Sequence, residues 1–140
     1  MRVVFDTNVY ISAFVIPGSL SDDAYRRARA GDVDLFTSVA ILTELAAKLR
    51  QKFEWDEEHI RAALKSVGRT ARVVKTTPHL AIVRDATDNR ILECAEEVDA
   101  DLIVTGDLHL LKLARFGQAG IVRVSTFLRI LGRRPPERRE

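Results

Sequence analysis

Apolar residues come in short runs, separated by stretches in which they recur every three or four positions. Residues 2–6 form a short, β-branched apolar run that predicts a buried strand. Residues 9–15 read as a short helix, stopped by Pro17-Gly18. Ser21 is expected to cap the next helix, with Asp22 and Asp23 in its first turn, arginines later and Gly31 at its end. Leu35-Phe36-Thr37 reads as a second strand. From a cap at Ser38 a helix is expected to about Gln51, with Ile41, Leu42, Leu45 and Leu49 on its inner face. Asp56 begins another, with Ile60, Leu64 and Val67 at helical spacing and an end near Gly68.

Residues 72–74 predict a third strand, followed by a polar loop over 75–87 that contains Pro78. Thr87 is expected to cap a helix over 88–98. Leu102-Ile103-Val104 is the fourth strand, Asp107 starts a short helix, and residues 121–124 are the fifth strand. Ser125 is expected to cap a last helix over 126–131, before Gly132. Strands alternating with helices predict an α/β fold, a three-layer α/β/α sandwich around a central, mostly parallel sheet of about five strands. The expected organisation is one domain over 1–132 and a polar, basic tail over 133–140.

The chain has 140 residues, 46% apolar and 30% charged, which suits one globular domain and argues against disorder. A single cysteine, Cys94, excludes an internal disulfide framework. The first apolar run breaks at Asp6 and Asn8, so no signal peptide is expected, and no run approaches the ~20 residues of a membrane span. A cytoplasmic location with no membrane contact is the expectation. Net charge is only +2, but the cations cluster: Arg26, Arg27 and Arg29; Lys48, Arg50 and Lys52; Arg133, Arg134, Arg138 and Arg139. Each cluster suits a solvated face; together they are expected to flank an acidic centre and hold a phosphate backbone.

That centre is suggested by four acids placed where apolar runs end or turn. Asp6 closes the first strand and Asp107 follows the fourth; Asp88 lies in the first turn of a helix, and Glu44 borders the apolar stripe of another. Ligands in open α/β sheets gather outside the carboxyl ends of the strands, so these carboxylates can meet if the strands of Asp6 and Asp107 are neighbours. Each has a local alternative: a turn at Asp6, helix-dipole complementation by Asp88, a cap at Asp107, an ion pair of Glu44 with Lys48. Converging, they suit a hard divalent cation held by oxygen and hence phosphate chemistry. Asn8, Thr105 and Ser38 are placed to support them, and Asp85 is either an outer acid or a loop residue. His59, His79 and His109 lack metal-ligand spacing.

Four segments resemble the motifs of the PIN-domain nucleases, in order and over about residues 2–131: Val3-Val-Phe-Asp6-Thr7-Asn8, Ser38-Val-Ala-Ile-Leu-Thr-Glu44-Leu, Asp85-Ala-Thr-Asp88-Asn89 and Leu102-Ile-Val-Thr105-Gly106-Asp107. The resemblance is to the small single-domain, VapC-like type, the toxin of toxin–antitoxin pairs. It implies that Asp6, Glu44, Asp88 and Asp107 bind one or two Mg²⁺ or Mn²⁺ ions and hydrolyse RNA, with Asn8 and Thr105 as auxiliaries. It also implies an antitoxin protein as partner and a homodimer. The third motif departs from the subgroup's usual Asp-Pro-Asp-Asp-Asn, with Thr87 in place of one acid. The alternatives are a housekeeping RNA-processing nuclease, a non-catalytic RNA- or partner-binding module, and an aspartate-nucleophile phosphatase, for which Asn8 stands where the second Asp is required.

Overall fold

The computed structural model describes residues 1–132, so the expected tail over 133–140 lies outside the described residues. The elements are β1 (Arg2–Phe5), α1 (Thr7–Val15), α2 (Leu20–Arg29), β2 (Asp34–Ser38), α3 (Val39–Gln51), α4 (Glu57–Thr70), β3 (Arg72–Val74), α5 (Ala86–Glu97), β4 (Leu102–Val104), α6 (Leu108–Leu113), β5 (Arg115–Phe116), β6 (Ala119–Val122) and α7 (Val124–Leu131). They build one sheet in the order β3-β2-β1-β4-β6-β5, parallel except for the β5–β6 hairpin.

The sheet has six strands where five were expected. The addition is β5, only two residues long, turned back on β6 at Gly117 with φ +58°. A two-residue strand carries no periodicity, and the glycine supplies the left-handed turn at little steric cost. The fifth predicted strand is β6, which starts at Ala119 and ends at Val122.

Val3, Val4 and Phe5 are fully buried. Successive strand side chains point to opposite faces, so both faces of β1 are covered. An aromatic series anchors this centre. The Phe5 ring meets Phe127 of α7 edge-on at 5.6 Å, and lies tilted at 5.6 Å from Tyr10 of α1. Tyr10 in turn meets Tyr25 of α2 at 6.0 Å. Such pairs contribute about 1 kcal/mol each beyond the area they bury.

Three predicted caps move. Ser19, not Ser21, caps α2, accepting the Asp22 N–H at 3.1 Å. Asp85, not Thr87, caps α5, accepting the Thr87 N–H at 2.9 Å. Helix α7 follows Arg123 with no side-chain cap, leaving Ser125 in its first turn. Where two capping residues lie two positions apart, local sequence does not choose between them; the packing of the helix sets its first turn. Ser38 and Asp56 cap α3 and α4 as expected.

The loop over 75–85 is strapped to α5 by two buried side chains. Glu93, 1% exposed, accepts the N–H groups of His79 at 2.6 Å and Leu80 at 2.8 Å and meets the Arg90 guanidinium at 2.7 Å. Asn89 accepts the N–H groups of Ile82 and Val83 and donates to the Val83 and Asp85 carbonyls. Burial pushes the Glu93 pKa up, but the two N–H donors and Arg90 outweigh it, and the carboxyl sits below its ordinary 4.5. A depressed pKa stabilises the fold fully above the unfolded value and loses that contribution as pH falls through the folded value. Glu93→Ala leaves two backbone donors and a guanidinium without their acceptor. It is expected to cost about 3 kcal/mol, seen as a fall of roughly 10 °C in melting temperature at pH 7 that shrinks below pH 4.

Candidate active site

The strand order reverses at the centre of the sheet. From β1 the chain adds β2 and then β3 on one side, and places β4 on the other. The carboxyl ends of β1 and β4 therefore flank the topological switch point, where ligands of open α/β sheets bind. Asp6 follows β1 directly, and its backbone N–H donates to the Val104 carbonyl at 2.9 Å. The fully buried Thr105 hydroxyl donates to Asp6 Oδ2 at 2.7 Å and accepts the Asp107 N–H at 2.9 Å. One hydroxyl thus ties the two strand-end acids together, as the placement of Thr105 suggested.

Both local alternatives for these acids also hold. Asp6 caps α1, weakly accepting the Asn8 N–H at 3.4 Å, and Asp107 caps α6, accepting from His109 at 2.8 Å and Leu110 at 3.1 Å. A cap uses one carboxylate oxygen, so the two roles share each side chain without conflict. Asp6 is 4% exposed; burial raises its pKa, against the lowering effects of the Thr105 bond, the Asn8 N–H and the Lys48 charge.

Helix α3 brings Glu44 in from the side. Its Oε2 accepts the Thr7 hydroxyl at 3.3 Å, and its Oε1 lies 3.0 Å from Lys48 Nζ. The same ammonium donates to Asn8 Oδ1 at 3.2 Å. The pairing of Glu44 with Lys48 was foreseen as a surface alternative; here it links α3 to the turn after β1. Ser38 is fully buried and caps α3 through the Ile41 N–H at 3.2 Å, so it sets the start of the helix that carries Glu44.

Asp88 lies in the first turn of α5, 6% exposed, and its Oδ2 is buried with no hydrogen-bond partner among the described residues. Its pKa is pushed up to about 7, first by burial and then by the charges of Asp107, Asp6, Asp85 and Glu44. Asp88 thus feels the charge of each of the other three predicted acids, Asp6, Glu44 and Asp107. Asp85 joins them from outside. It is exposed, caps α5, and is held below its ordinary pKa by the Thr87 hydroxyl and N–H. Among the described residues, no group of three or more His, Cys, Asp or Glu side chains is arranged to hold a metal ion as it stands.

Three described members of the basic clusters pair with acids outside this centre. Arg26 pairs with Asp22, Arg27 with Asp32 and Arg50 with Glu57. Of the described members, Lys48 is the one bonded to an acid of the site. Arg133, Arg134, Arg138 and Arg139 lie outside the described residues. His109 is an exposed residue of α6. The strap formed by Asn89 and Glu93 was not foreseen. Its signal was an acid on the apolar face of a helix, at Glu93 between Leu92 and Cys94.

The family model for the PIN domain matches residues 2–109. The chain belongs to the PIN-domain family. This PIN domain is 32% identical over 122 residues to the uncharacterized protein MJ1680 of Methanocaldococcus jannaschii, covering 81% of this chain and 75% of the relative. Its fold is similar to a chain in the crystal structure of VapBC2 from Rickettsia felis bound to a promoter DNA fragment. That match has a TM-score of 0.62 and 15% identity, and covers 88% of this chain and 98% of the other. PIN domains are generally nucleases. No helix among the described residues is long and apolar enough to cross a membrane.

The raised pKa of Asp88 makes a stability prediction. With a folded value near 7 and an unfolded value near 3.8, the native state binds the extra proton between them. Stability therefore falls as pH rises through that window, and the cost of the ionised group is complete above it. In EDTA, Asp88→Asn is expected to raise the melting temperature by several degrees at pH 8 and to leave it nearly unchanged at pH 4. An equal shift at both pH values would contradict the assignment.

Proposed function

We propose that this PIN domain is a metal-dependent endoribonuclease, acting as the toxin of a toxin–antitoxin pair. The observation that carries the reading is Asp88. A buried carboxylate with an unpartnered oxygen, crowded by four other acids, is costly unless a cation offsets it. An oxygen-only donor set suits Mg²⁺ or Mn²⁺, one or two ions, with Asp6, Asp88, Asp107 and Glu44 as the ligands. Bound there, such an ion supplies water activation and neutralises charge developing on a phosphodiester.

The remaining work belongs to the chain. Thr105 orients the Asp6 carboxylate and anchors the Asp107 backbone, which fixes the spacing of the two strand-end acids. Lys48 holds Glu44 and Asn8 at the rim and offsets part of the negative charge. Asp85 adds negative potential from outside. Preorganised positions of this kind favour catalysis, because little reorganisation is needed when charge moves.

RNA as substrate follows from the family resemblance of the four motifs. The toxin role is supported by the similarity of fold to the VapBC2 structure, and implies an antitoxin protein as partner. The cytoplasm is the compartment in which such a toxin meets RNA, and a homodimer is the proposed assembly.

Asp6→Asn is expected to lower Mn²⁺-dependent cleavage of single-stranded RNA by about 100-fold or more while circular dichroism stays native. Undiminished cleavage would remove Asp6 from the mechanism. Millimolar Mn²⁺ is expected to raise the wild-type melting temperature by about 5–10 °C, and that rise should vanish in Asp6→Asn.

A further inference from the structure

Arg2 opens β1, Arg72 opens β3, Arg29 ends α2 and Arg69 lies in the last turn of α4. All four line one open cleft of about 780 Å³, together with Asp34 at the start of β2. A second cleft of about 410 Å³ beside it shares Arg29 and Arg69 and adds Lys65, one helical turn before Arg69. The strands here are parallel, so the clefts lie at the amino edge of the sheet. The four residues of β1 separate that edge from Asp6, a span of about 13 Å.

Five cations thus face one lining carboxylate. Among the described residues, none of the five is in an ion pair. Aromatic rings hold three of them instead. The Arg2 and Arg72 guanidinium groups stand 5.6 and 5.9 Å from the centre of the Phe36 ring, and that of Arg29 stands 5.8 Å from the Tyr25 ring. Arg2 also donates to the Val98 carbonyl at 2.8 Å. A guanidinium resting on a ring keeps N–H groups at its edge for a phosphate, and loses less freedom when it binds one. Five cations outnumber the one lining carboxylate and repel one another, so an anion that enters relieves that repulsion.

The geometry points to a second nucleic-acid contact: this arginine-lined cleft binds the phosphate backbone of single-stranded RNA at a distance from the acidic edge. Two open clefts in succession, with cations spread from Lys65 to Arg2, suit a chain of phosphates. A small free phosphate compound is better served by one enclosed pocket. The inference rests on RNA being the substrate, as proposed above, and gives the domain a grip that its acid-rich edge does not supply.

The test is fluorescence anisotropy with a 5′-fluorescein-labelled single-stranded RNA of roughly 20 nucleotides, longer than one small binding surface covers. Binding is measured in EDTA, so cleavage plays no part, for the wild type and for the triple variant Arg29→Gln, Arg69→Gln, Arg72→Gln. The variant is expected to bind about tenfold more weakly at low salt. Its plot of log affinity against log salt should be shallower by about 2, for three phosphate contacts at roughly 0.7 each. Unchanged affinity and slope would overturn the proposal. If the triple variant melts early, the exposed Arg69→Gln alone replaces it, with a slope shallower by about 0.7 expected and no change counting against the cleft.

Inorganic pyrophosphate is the competing probe, at concentrations too low to alter ionic strength. Displacement of RNA from the wild type but not from the triple variant would assign the cleft to a small phosphate compound and overturn the backbone reading. No displacement supports it. A parallel Mn²⁺ cleavage assay separates the two hypotheses. Cleft-dependent RNA binding without cleavage by the wild type sinks the nuclease reading alone. Cleavage with an unchanged salt slope in the variant sinks the cleft alone.

Discussion

The Thr105 hydroxyl, buried between β1 and β4, has one donor to give and gives it to Asp6, while its lone pair takes the Asp107 amide. That arrangement exists because β1 and β4 are direct neighbours, paired from Val3–Leu102 to Phe5–Val104. Were another strand inserted between them, Asp6 and Asp107 would stand about 10 Å apart and share no bridging hydroxyl. The aromatic series from Phe127 through Phe5 to Tyr10 and Tyr25 ties the end of β1 to α7, α1 and α2. The core and the acidic edge are therefore one construction: packing at Phe5 holds the residue before Asp6.

Electrostatics at that edge run against stability. Burial raises the pKa values of Asp6 and Asp88, and the neighbouring acids raise Asp88 further. Lys48 is a partial remedy, set across one turn from Glu44 and reaching Asn8. Concentrating negative charge in a partly dry crevice is the kind of local cost that functional sites carry and that packing elsewhere offsets. Glu93 makes the contrast. It is as buried as Asp88 and only five residues away, but two N–H donors bond its Oε2 and the Arg90 guanidinium stands 2.7 Å from its Oε1, and its pKa moves the other way. One acid is fitted to hold a loop, the other is left with an oxygen to offer.

The arginine-lined cleft and the four acids lie at opposite edges of the sheet. Parallel strands collect their following residues at the carboxyl edge, where the acids lie, and their leading residues at the amino edge, where Arg2 and Arg72 lie. The same topology that gathers carboxylates at one end thus gathers guanidinium groups at the other, joined there by Arg29 and Arg69 from the helices. A near-neutral total of +2 conceals this separation.

Much of the architecture was legible from periodicity. Strands at residues 2–5, 102–104 and 72–74, and helices α3, α4 and α5, announce themselves by apolar runs or helical spacing. The four-motif order pointed to the family that the comparison then showed. Less was legible where signals are short or shared: two-residue β5, the choice of Ser19 over Ser21, the cap at Asp85. The roles of Asn89 and Glu93 were hidden because their partners are backbone N–H groups of a loop, which no side-chain pattern records. By itself the sequence determined where most strands and helices lie and which acids follow β1 and β4, because apolar runs and helical spacing are local properties. Only the tertiary structure decided that β4 lies beside β1, that Lys48 reaches the acids while Arg29 faces the opposite edge, and that Asp88 Oδ2 has no hydrogen-bond partner among the described residues. Each of these depends on contacts between residues distant along the chain, which strand order and packing create and local sequence does not encode.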